Sequence, residues 1–319
     1  MPVHAFVFPG QGSQAVGMGR DLAAAFAAAR EVYQEVDDTL KQKLSKLMFE
    51  GPAEDLTLTE NTQPALMAHS LAVLRVLERE GGFVLADKAV VVAGHSLGEY
   101  SALAAAGSFS VAQAARLLRL RGQAMQKAVP AGEGAMAALL GAELELAREI
   151  CAAAAEGPDG ARDVIGPAND NGGGQVVISG AKAAVERAIE IARNRGVKRA
   201  MLLPVSAPFH CALMEPAAQA MEQALGDSAP AAPVVPLVAN VTAEKVTDPD
   251  EIARLLVRQV TATVRWRESV LAMVGLGVDS FVELGAGKVL SGLVRRIAPD
   301  AAAASVGSPA EIEQILKTL

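Results

Sequence analysis

Cysteine and aromatic residues are scarce in this sequence, and uninterrupted apolar runs of membrane-spanning length are missing. The 319 residues include two cysteines, Cys151 and Cys211, and 3% aromatic residues. Two cysteines cannot build a disulfide framework, so we expect a reducing, cytoplasmic environment. The longest apolar candidate, around residues 89–107, is broken by His95, Glu99 and several glycines. We therefore expect no membrane helix and no membrane partner.

Positive charge is also in short supply. Lysine and arginine number 29 against 36 aspartate and glutamate residues, which gives a formal net charge of −7. This balance argues against nucleic acid as a main partner. The chain is nevertheless long enough to build a large core and a second lobe.

Strand and helix patterns alternate through the first part of the chain. Short apolar runs at residues 4–8 and 89–93 predict buried strands, and helical spacing of apolar residues predicts helices between and after them. This order predicts an α/β fold in which helices cover a parallel sheet. The predicted helices lie at residues 20–40, 62–82, 99–106 and 110–128.

The pattern changes between residues 131 and 204. Its segments read strand, helix, strand, strand, helix, strand, which is the order typical of ferredoxin-like domains. We therefore expect a small domain at residues 131–204, inserted into a large domain made of residues 1–130 and 205–319. Two further strands of the large sheet are predicted in residues 234–241 and 278–284.

The sequence Gly94-His95-Ser96-Leu97-Gly98 matches the G-x-S-x-G pattern of a nucleophile elbow, with a predicted strand before it and a helix after it. The flanking glycines permit a sharp, strained turn that projects the serine hydroxyl beyond the sheet. The N–H of Leu97 would lie at a helix N-terminus, where an anion is favoured. Ser96 is therefore the candidate nucleophile, and a glycine-flanked helix cap is the plainer alternative.

A serine nucleophile needs a base, and the sequence has four histidines. His4 begins a strand, His69 lies in a core-like helix, and the side chain of His95 should point away from the Ser96 hydroxyl. His210 lies in a proline-punctuated loop after the small domain, where functional groups are common. We therefore predict that His210 is the general base.

An acidic third member of a triad has no persuasive candidate. The three aspartates between the serine and the histidine that we considered fall in loops of the small domain: Asp159, Asp163 and Asp170. A carbonyl oxygen can also orient an imidazole, so we expect a Ser–His dyad.

A second glycine-rich turn follows the first strand. Gly10, Gly12 and Ala15 fit the dinucleotide fingerprint, but that fold needs an acid-ended strand about 20 residues later, where this sequence looks helical. The turn could instead direct the N–H of Gln11 towards the serine, as a second donor of an oxyanion hole beside Leu97. A nucleotide-binding or scaffold protein stays open as the non-enzymatic alternative.

These residues together resemble the malonyl-CoA:acyl-carrier-protein transacylases and the related acyltransferase domains of polyketide and fatty acid synthases. The resemblance extends from FVFPGQGSQ to FVELGAGKVLSGL and includes NTQPAL, GHSLGEYSAL, RGQAM, SAPFH and RQVTATVRW. It implies an α/β-hydrolase-like large domain with a ferredoxin-like insert. It also implies ping-pong transfer of a malonyl group from malonyl-CoA to the phosphopantetheine thiol of acyl carrier protein, through a malonyl-serine ester and without a cofactor or metal ion.

The resemblance also implies roles around the predicted dyad. Arg121, in the RGQAM motif, would bind the malonyl carboxylate, and a main-chain carbonyl near Gln259 would orient His210. Phe209 resembles a bulky position that would crowd a 2-methyl group on the substrate. Gln63 either lines the pocket or caps a helix.

We expect a monomeric enzyme that meets the acidic carrier protein through local basic patches. A serine esterase or thioesterase is the alternative activity, because the elbow alone would support it. The candidate patches are residues 193–199, Arg254 with Arg258, and Arg295 with Arg296.

Overall fold

Two β-sheets organise the protein, whose computed structural model describes residues 2–158 and 160–319. In chain order the strands are β1 His4–Phe8, β2 Ala89–Gly94, β3 Gly134–Leu140, β4 Ile165–Asp170, β5 Gln175–Ala181, β6 Arg199–Leu202, β7 Leu237–Val238, β8 Lys245–Val246, β9 Ser280–Leu284 and β10 Ala302–Val306. The larger sheet has the order β10-β9-β1-β2-β7-β8 and the smaller one the order β4-β5-β3-β6.

Strand direction distinguishes the two sheets. In the larger sheet, β10, β9, β1, β2 and β7 run parallel, and only the two-residue edge strand β8 is antiparallel. In the smaller sheet, every pairing is antiparallel. The protein is therefore a mixed α/β structure, as its alternating sequence pattern predicts.

The helices cover both sheets. They are α1 Arg20–Ala25, α2 Ala27–Leu40, α3 Leu44–Glu50, α4 Ala53–Thr57, α5 Thr59–Gly81, α6 Leu85–Lys88, α7 Gly98–Ala105, α8 Val111–Ala128, α9 Leu144–Ala154, α10 Lys182–Asn194, α11 Glu215–Asp227, α12 Pro249–Gln259, α13 Trp266–Gly275, α14 Val289–Ile297 and α15 Pro309–Ile315, with a short 3-10 helix at Ala212–Met214. None of the helices in the described ranges combines the length and the apolar character that crossing a membrane requires.

The central strand β1 shows why its sequence reads as a continuous apolar run. Phe6 and Phe8 face the main core, which α5, α7 and α8 help to build. Ala5 and Val7 face a second core on the opposite side of the sheet, shared with α13 and α14. A strand that is buried on both faces has no polar side, and this is typical of parallel sheets.

The smaller sheet is joined by backbone hydrogen bonds to the segment that precedes α13. Asp170 at the end of β4 donates its N–H to the carbonyl of Val264 at 2.9 Å, and Val264 donates in turn to Ala168 at 2.8 Å. Through these bonds, the segment before α13 lies beside β4 at the edge of the smaller sheet. The turn that follows β4 is thereby held beside the carboxyl end of β2.

Several predicted boundaries are wrong. The helix predicted at residues 20–40 is broken at Phe26, whose backbone is extended, so that α1 and α2 are separate. Helix α5 begins at Thr59, earlier than predicted, which places Pro64 in its second turn instead of its first. The strand predicted at residues 234–241 is reduced to the two residues of β7. Strands β8 and β10 were not predicted.

Gly98 tests how closely α7 packs against β1. A Cβ at this position would lie 2.2 Å from the carbonyl oxygen of Phe8. We expect Gly98→Ala to lower the free energy of unfolding by about 1–3 kcal/mol, as overpacking does, in chemical denaturation. The control is Gly226→Ala in α11, where an added Cβ meets nothing within 4 Å and helix propensity favours alanine. Equal stability of the two variants would contradict this packing.

Candidate active site

Ser96 sits in a strained turn between β2 and α7. Its φ is 54°, in the left-handed region that side chains with a Cβ rarely adopt. The turn is also tight, because a Cβ at Gly94 would lie 1.9 Å from the carbonyl oxygen of Gly98. This is the geometry predicted for a nucleophile elbow, and it exposes the serine hydroxyl at the carboxyl end of β2.

Two amide side chains hold the strained turn in place. Asn240, after β7, accepts a hydrogen bond from the Ser96 N–H at 2.8 Å and donates its Nδ2 to the Gly94 carbonyl at 2.7 Å. Gln259, the last residue of α12, donates its Nε2 to the Ser96 carbonyl at 3.0 Å. The backbone on both sides of the nucleophile is therefore fixed by groups from other elements.

His210 lies within hydrogen-bonding distance of the serine. Its Nε2 is 2.7 Å from Ser96 Oγ, and its Nδ1 is 2.9 Å from the backbone carbonyl of Gln259. A carbonyl oxygen can only accept, so Nδ1 carries the proton and Nε2 presents a lone pair to the serine hydroxyl. The structure thus brings the two predicted dyad residues together in the arrangement that proton transfer requires.

The environment of His210 keeps it neutral. Burial lowers the pKa of the imidazole to about 3, and the nearby positive charge of Arg121 acts in the same direction. An imidazole with such a pKa is unprotonated at neutral pH. It is therefore ready to accept a proton from Ser96.

Neither Asp163 nor Asp170 orients the imidazole. Asp163 and Asp170 pair with arginines elsewhere, at 2.7 and 2.9 Å. Asp159 lies outside the described residues. The backbone carbonyl of Gln259 occupies the place beside His210 Nδ1 that a triad acid would take.

Arg121 is a buried cation next to the nucleophile. Its side chain is enclosed, and its guanidinium donates from Nη1 to Gln63 Oε1 and from Nη2 to Gln259 Oε1, both at 2.8 Å. Nη2 is also 3.2 Å from Ser96 Oγ, and the guanidinium lies 5.8 Å from the ring centroid of Tyr100. Its Nε is buried and has no hydrogen-bond partner among the described residues. An anion is the natural partner for such a group.

The neighbouring arginines of α8 point elsewhere. Arg116 is exposed, and Arg119 donates to Asn61 Oδ1 at 2.7 Å. Of these three arginines, Arg121 is the one that reaches Ser96. The sequence alone could not separate them, because all three lie on one helix.

Gln11 is connected to the buried arginine through α5. Its Oε1 accepts from Thr59 Oγ1 at 2.9 Å, and that hydroxyl accepts from Gln63 Nε2 at 3.0 Å. Gln63 in turn accepts from Arg121, so it lines the site and does not cap a helix. The turn that carries Gln11 packs directly on the elbow, since a Cβ at Gly10 would lie 2.6 Å from the His95 carbonyl oxygen.

These groups line one cavity of about 390 Å³ between the two sheets. Gln11, Ser96, Leu97, Arg121 and Phe209 are among the residues that line it. Apolar side chains from the smaller sheet and from α14 form much of the remaining wall, among them Met136, Val177, Val289, Leu290 and Leu293. The cavity therefore offers a polar, positively charged end beside the nucleophile and an apolar approach to it.

The dinucleotide-binding alternative finds no support in the fold around the Gly10–Ala15 turn. The dinucleotide reading needs an acid-ended strand after the Gly10–Ala15 turn, and the chain there forms helices α1 and α2. Within residues 2–158 and 160–319, no group of three or more histidine, cysteine, aspartate or glutamate side chains could hold a metal ion.

Three polar residues at the site were missed by sequence reasoning. Asn240 lies in a predicted strand and Thr59 lies outside every motif. Glu99 enters the sequence analysis only as a charge that interrupts an apolar run and as part of GHSLGEYSAL. The Glu99 side chain is buried and accepts from Gln259 Nε2 at 2.7 Å and from the Asn240 N–H at 3.2 Å. Burial raises the pKa of this carboxyl to about 7.

Comparison with known proteins shows the family to which this chain belongs. The acyl transferase domain family matches residues 5–310. The malonyl CoA-acyl carrier protein transacylase of Bacillus subtilis is 45% identical over 315 residues, which cover 99% of this chain and 96% of that protein. The protein of the same name from Escherichia coli K12 is 45% identical over 317 residues, covering 99% of this chain and 100% of that protein.

Solved structures agree as well. The acyl-carrier-protein-S-malonyltransferase of Bartonella henselae has a TM-score of 0.95 and 55% identity, over 99% of each chain. A malonyl-transacylase in complex with a type II PKS acyl-carrier protein has a TM-score of 0.94 and 42% identity, over 99% of this chain and 100% of that one. By full-length similarity in sequence and in structure, this chain belongs to the acyl transferase domain family.

Proposed function

We propose that the protein transfers the malonyl group of malonyl-CoA to the phosphopantetheine thiol of acyl carrier protein, through a malonyl ester of Ser96. The observation that carries this proposal is the buried guanidinium of Arg121, which lies 3.2 Å from the nucleophilic oxygen and lacks an acidic hydrogen-bond partner among the described residues. The relatives named above are malonyl transacylases, and the family does not favour the esterase alternative.

In this proposal Arg121 selects the acyl group. The malonyl carboxylate would bind the guanidinium through charge-assisted hydrogen bonds, which are among the strongest in proteins. An acetyl group would offer the guanidinium no carboxylate to bind, and a buried polar donor that lacks a partner is costly. Phe209, at the side of the cavity, would limit the room for a 2-methyl group.

The first half-reaction forms the acyl-enzyme. His210 Nε2 takes the proton of the Ser96 hydroxyl as Oγ attacks the thioester carbonyl. The backbone N–H groups of Gln11 and Leu97 would stabilise the tetrahedral oxyanion. When the carbon–sulfur bond breaks, the imidazolium returns its proton to the leaving sulfur, and CoA departs as a thiol.

The second half-reaction reverses these steps with a new thiol. The phosphopantetheine sulfhydryl of the carrier protein gives its proton to His210, and its sulfur attacks the malonyl-Ser96 ester. Collapse of the tetrahedral intermediate returns the proton to Ser96 Oγ and releases malonyl carrier protein. The groups that this chain would contribute to the cycle are Ser96, His210 and the backbone N–H groups of Gln11 and Leu97.

The finer architecture belongs to the same proposal. We assign residues 1–130 and 205–319 to an α/β-hydrolase-like catalytic domain and residues 131–204 to a ferredoxin-like one. The parallel order around β1 and β2 supports the first, and the order β4-β5-β3-β6 with two crossing helices supports the second. A monomer with two buried, free thiols would suit a reducing cytoplasm.

Loss of the nucleophile tests the covalent step. We expect Ser96→Ala to abolish protein labelling by radiolabelled malonyl-CoA and to slow transfer to carrier protein by more than about 10⁴-fold. The matched control is Ser101→Ala, a buried serine of α7 whose hydroxyl has no partner in the described structure. Normal transfer by Ser96→Ala would refute the mechanism.

Removal of the guanidinium tests acyl selection. We expect Arg121→Ala to lower kcat/KM for malonyl-CoA by about 100-fold or more, since losing a buried charged partner costs roughly 3 kcal/mol. Residual acetyl transfer should fall much less, because acetyl does not use the cation. Arg116→Ala, at an exposed position on the same helix, is the control. Equal losses for both acyl groups would remove the carboxylate-binding role.

The lowered pKa of His210 predicts how the rate of Ser96 acylation falls at acidic pH. Only the neutral imidazole is a base, and burial and Arg121 lower its pKa to about 3. Acylation by a neutral activated ester, such as p-nitrophenyl acetate, should therefore persist below the ordinary histidine pKa of about 6.5. The Arg121→Ala variant lacks the positive charge that disfavours protonated His210. Its acylation rate should therefore begin to fall at a higher pH than the wild-type rate. If acylation by the wild-type enzyme is lost at the ordinary histidine pKa, the environment described for His210 is wrong.

A further inference from the structure

A buried carboxylate lies beneath the elbow, and the proposed transfer mechanism gives it no role. Glu99, near the start of α7, is 1% exposed. Its hydrogen bonds come from two neutral donors, Gln259 Nε2 at 2.7 Å and the Asn240 N–H at 3.2 Å. An ionised carboxylate in such a place needs a compensating charge or a proton.

Gln259 links this carboxylate to the buried cation. Its Nε2 donates to Glu99, while its Oε1 accepts from Arg121 Nη2 at 2.8 Å. Both charged residues are 1% exposed, so their attraction is screened little by water. An acid, an amide and a guanidinium therefore form a continuous chain from the interior to Ser96.

We propose that Glu99 balances the charge of Arg121 in the empty site and takes up a proton from solvent when the malonyl carboxylate binds to Arg121. This inference rests on the malonyl-transfer function proposed above. Two carboxylates that share one buried cation repel each other, and the repulsion favours the neutral form of one of them. The neutral acid can still accept from Gln259 and Asn240 through its carbonyl oxygen, so the chain of hydrogen bonds survives.

The surroundings of Glu99 contain few other charges that could take this role. Helix α7 packs against β1, β2, α5 and α8. β2 has no titratable residue, β1 carries His4, and α5 carries His69, which is bonded to Tyr33. Tyr100 of α7 itself lies beneath Arg121, and burial raises its pKa. The remaining charged residues of α5 and α8 are exposed or half-buried: Glu60, Arg75, Glu78, Arg79, Glu80, Arg116, Arg119 and Lys127.

The segments that supply Asn240, Gln259, Ser96 and His210 add little charge. The loop after β7 carries Glu244 and helix α12 carries four charged residues, all exposed or half-buried: Asp250, Glu251, Arg254 and Arg258. Burial lowers the pKa of His95, which is bonded to Asn171, and it lowers that of His210 to about 3. These imidazoles are neutral near pH 7, so neither supplies a proton-linked charge there.

The pH range in which binding should depend on pH follows from the protonation of Glu99 in the empty site. Burial raises the pKa of Glu99 to about 7, against the opposing charge of Arg121. A second anion at Arg121 raises that pKa further, so the bound complex holds more protons than the free protein. By linkage, the affinity for malonyl-CoA increases as the pH falls from about 8 to about 6.

Calorimetry with Ser96→Ala tests the proton uptake, because this protein binds acyl-CoA without being acylated. Malonyl-CoA and acetyl-CoA are titrated near neutral pH in phosphate and in Tris, whose ionisation enthalpies differ. Acetyl-CoA carries the same CoA phosphates and lacks the carboxylate. We expect a larger proton uptake with malonyl-CoA, and we expect the difference to vanish in Ser96→Ala/Glu99→Gln. Equal uptake for both ligands, or a difference that persists without Glu99, would overturn the inference.

Infrared spectroscopy gives a measurement without a change at position 99. In ¹³C-glutamate-labelled Ser96→Ala, malonyl-CoA and not acetyl-CoA should produce the isotope-shifted carbonyl band of a protonated carboxylic acid. Absence of that band while malonyl-CoA binds would overturn the role of Glu99 and leave the transfer function standing. Failure of malonyl-CoA to bind, or equal binding by Ser96→Ala/Arg121→Ala, would instead refute the proposed function on which the inference rests.

Discussion

One buried glutamine is hydrogen-bonded to the nucleophile, the base and the cation of the site. The backbone carbonyl of Gln259 orients His210, and its side-chain oxygen accepts from Arg121. Its side-chain nitrogen donates to the Ser96 carbonyl and to Glu99. Only an amide offers donors and an acceptor in one small planar group. Because Gln259 is fully buried, water cannot replace any bond that is lost, so the relative positions of nucleophile, base and cation depend on this residue.

The cation next to the base makes substrate recognition and base strength interdependent. In the empty site, the charge of Arg121 adds to burial in lowering the pKa of His210. In the proposed reaction, a malonyl carboxylate would neutralise that charge and weaken the repulsion. The imidazole would then hold a proton more readily at the moment when Ser96 must give one up. An acetyl group would leave the repulsion in place, so the same contact would affect both binding and chemistry.

Most of the fold could be predicted because its elements are set by local patterns. The central strands are continuous apolar runs. In residues 131–204, the spacing of apolar residues distinguishes strands from helices. The errors occur where the structure departs from the local sequence pattern. Phe26 interrupts an alanine-rich helix by adopting an extended backbone, although nothing in its sequence neighbourhood prevents helix formation. The strand in residues 234–241 shrinks to Leu237–Val238, because only these residues pair with neighbouring strands.

The sequence predicts the Ser96–His210 pair that the structure brings together, but not the groups that hold this pair in place. Ser96 follows from the spacing of two glycines, and His210 follows from elimination among four histidines, since both depend on local chemistry. Asn240 and Thr59 carry no such mark, because their partners lie 144 and 48 positions away in the chain. A polar side chain becomes part of the site only when the fold buries it beside an unpaired group. The strain at Ser96 is tolerable because Asn240 and Gln259 supply the hydrogen bonds that its turn cannot make locally.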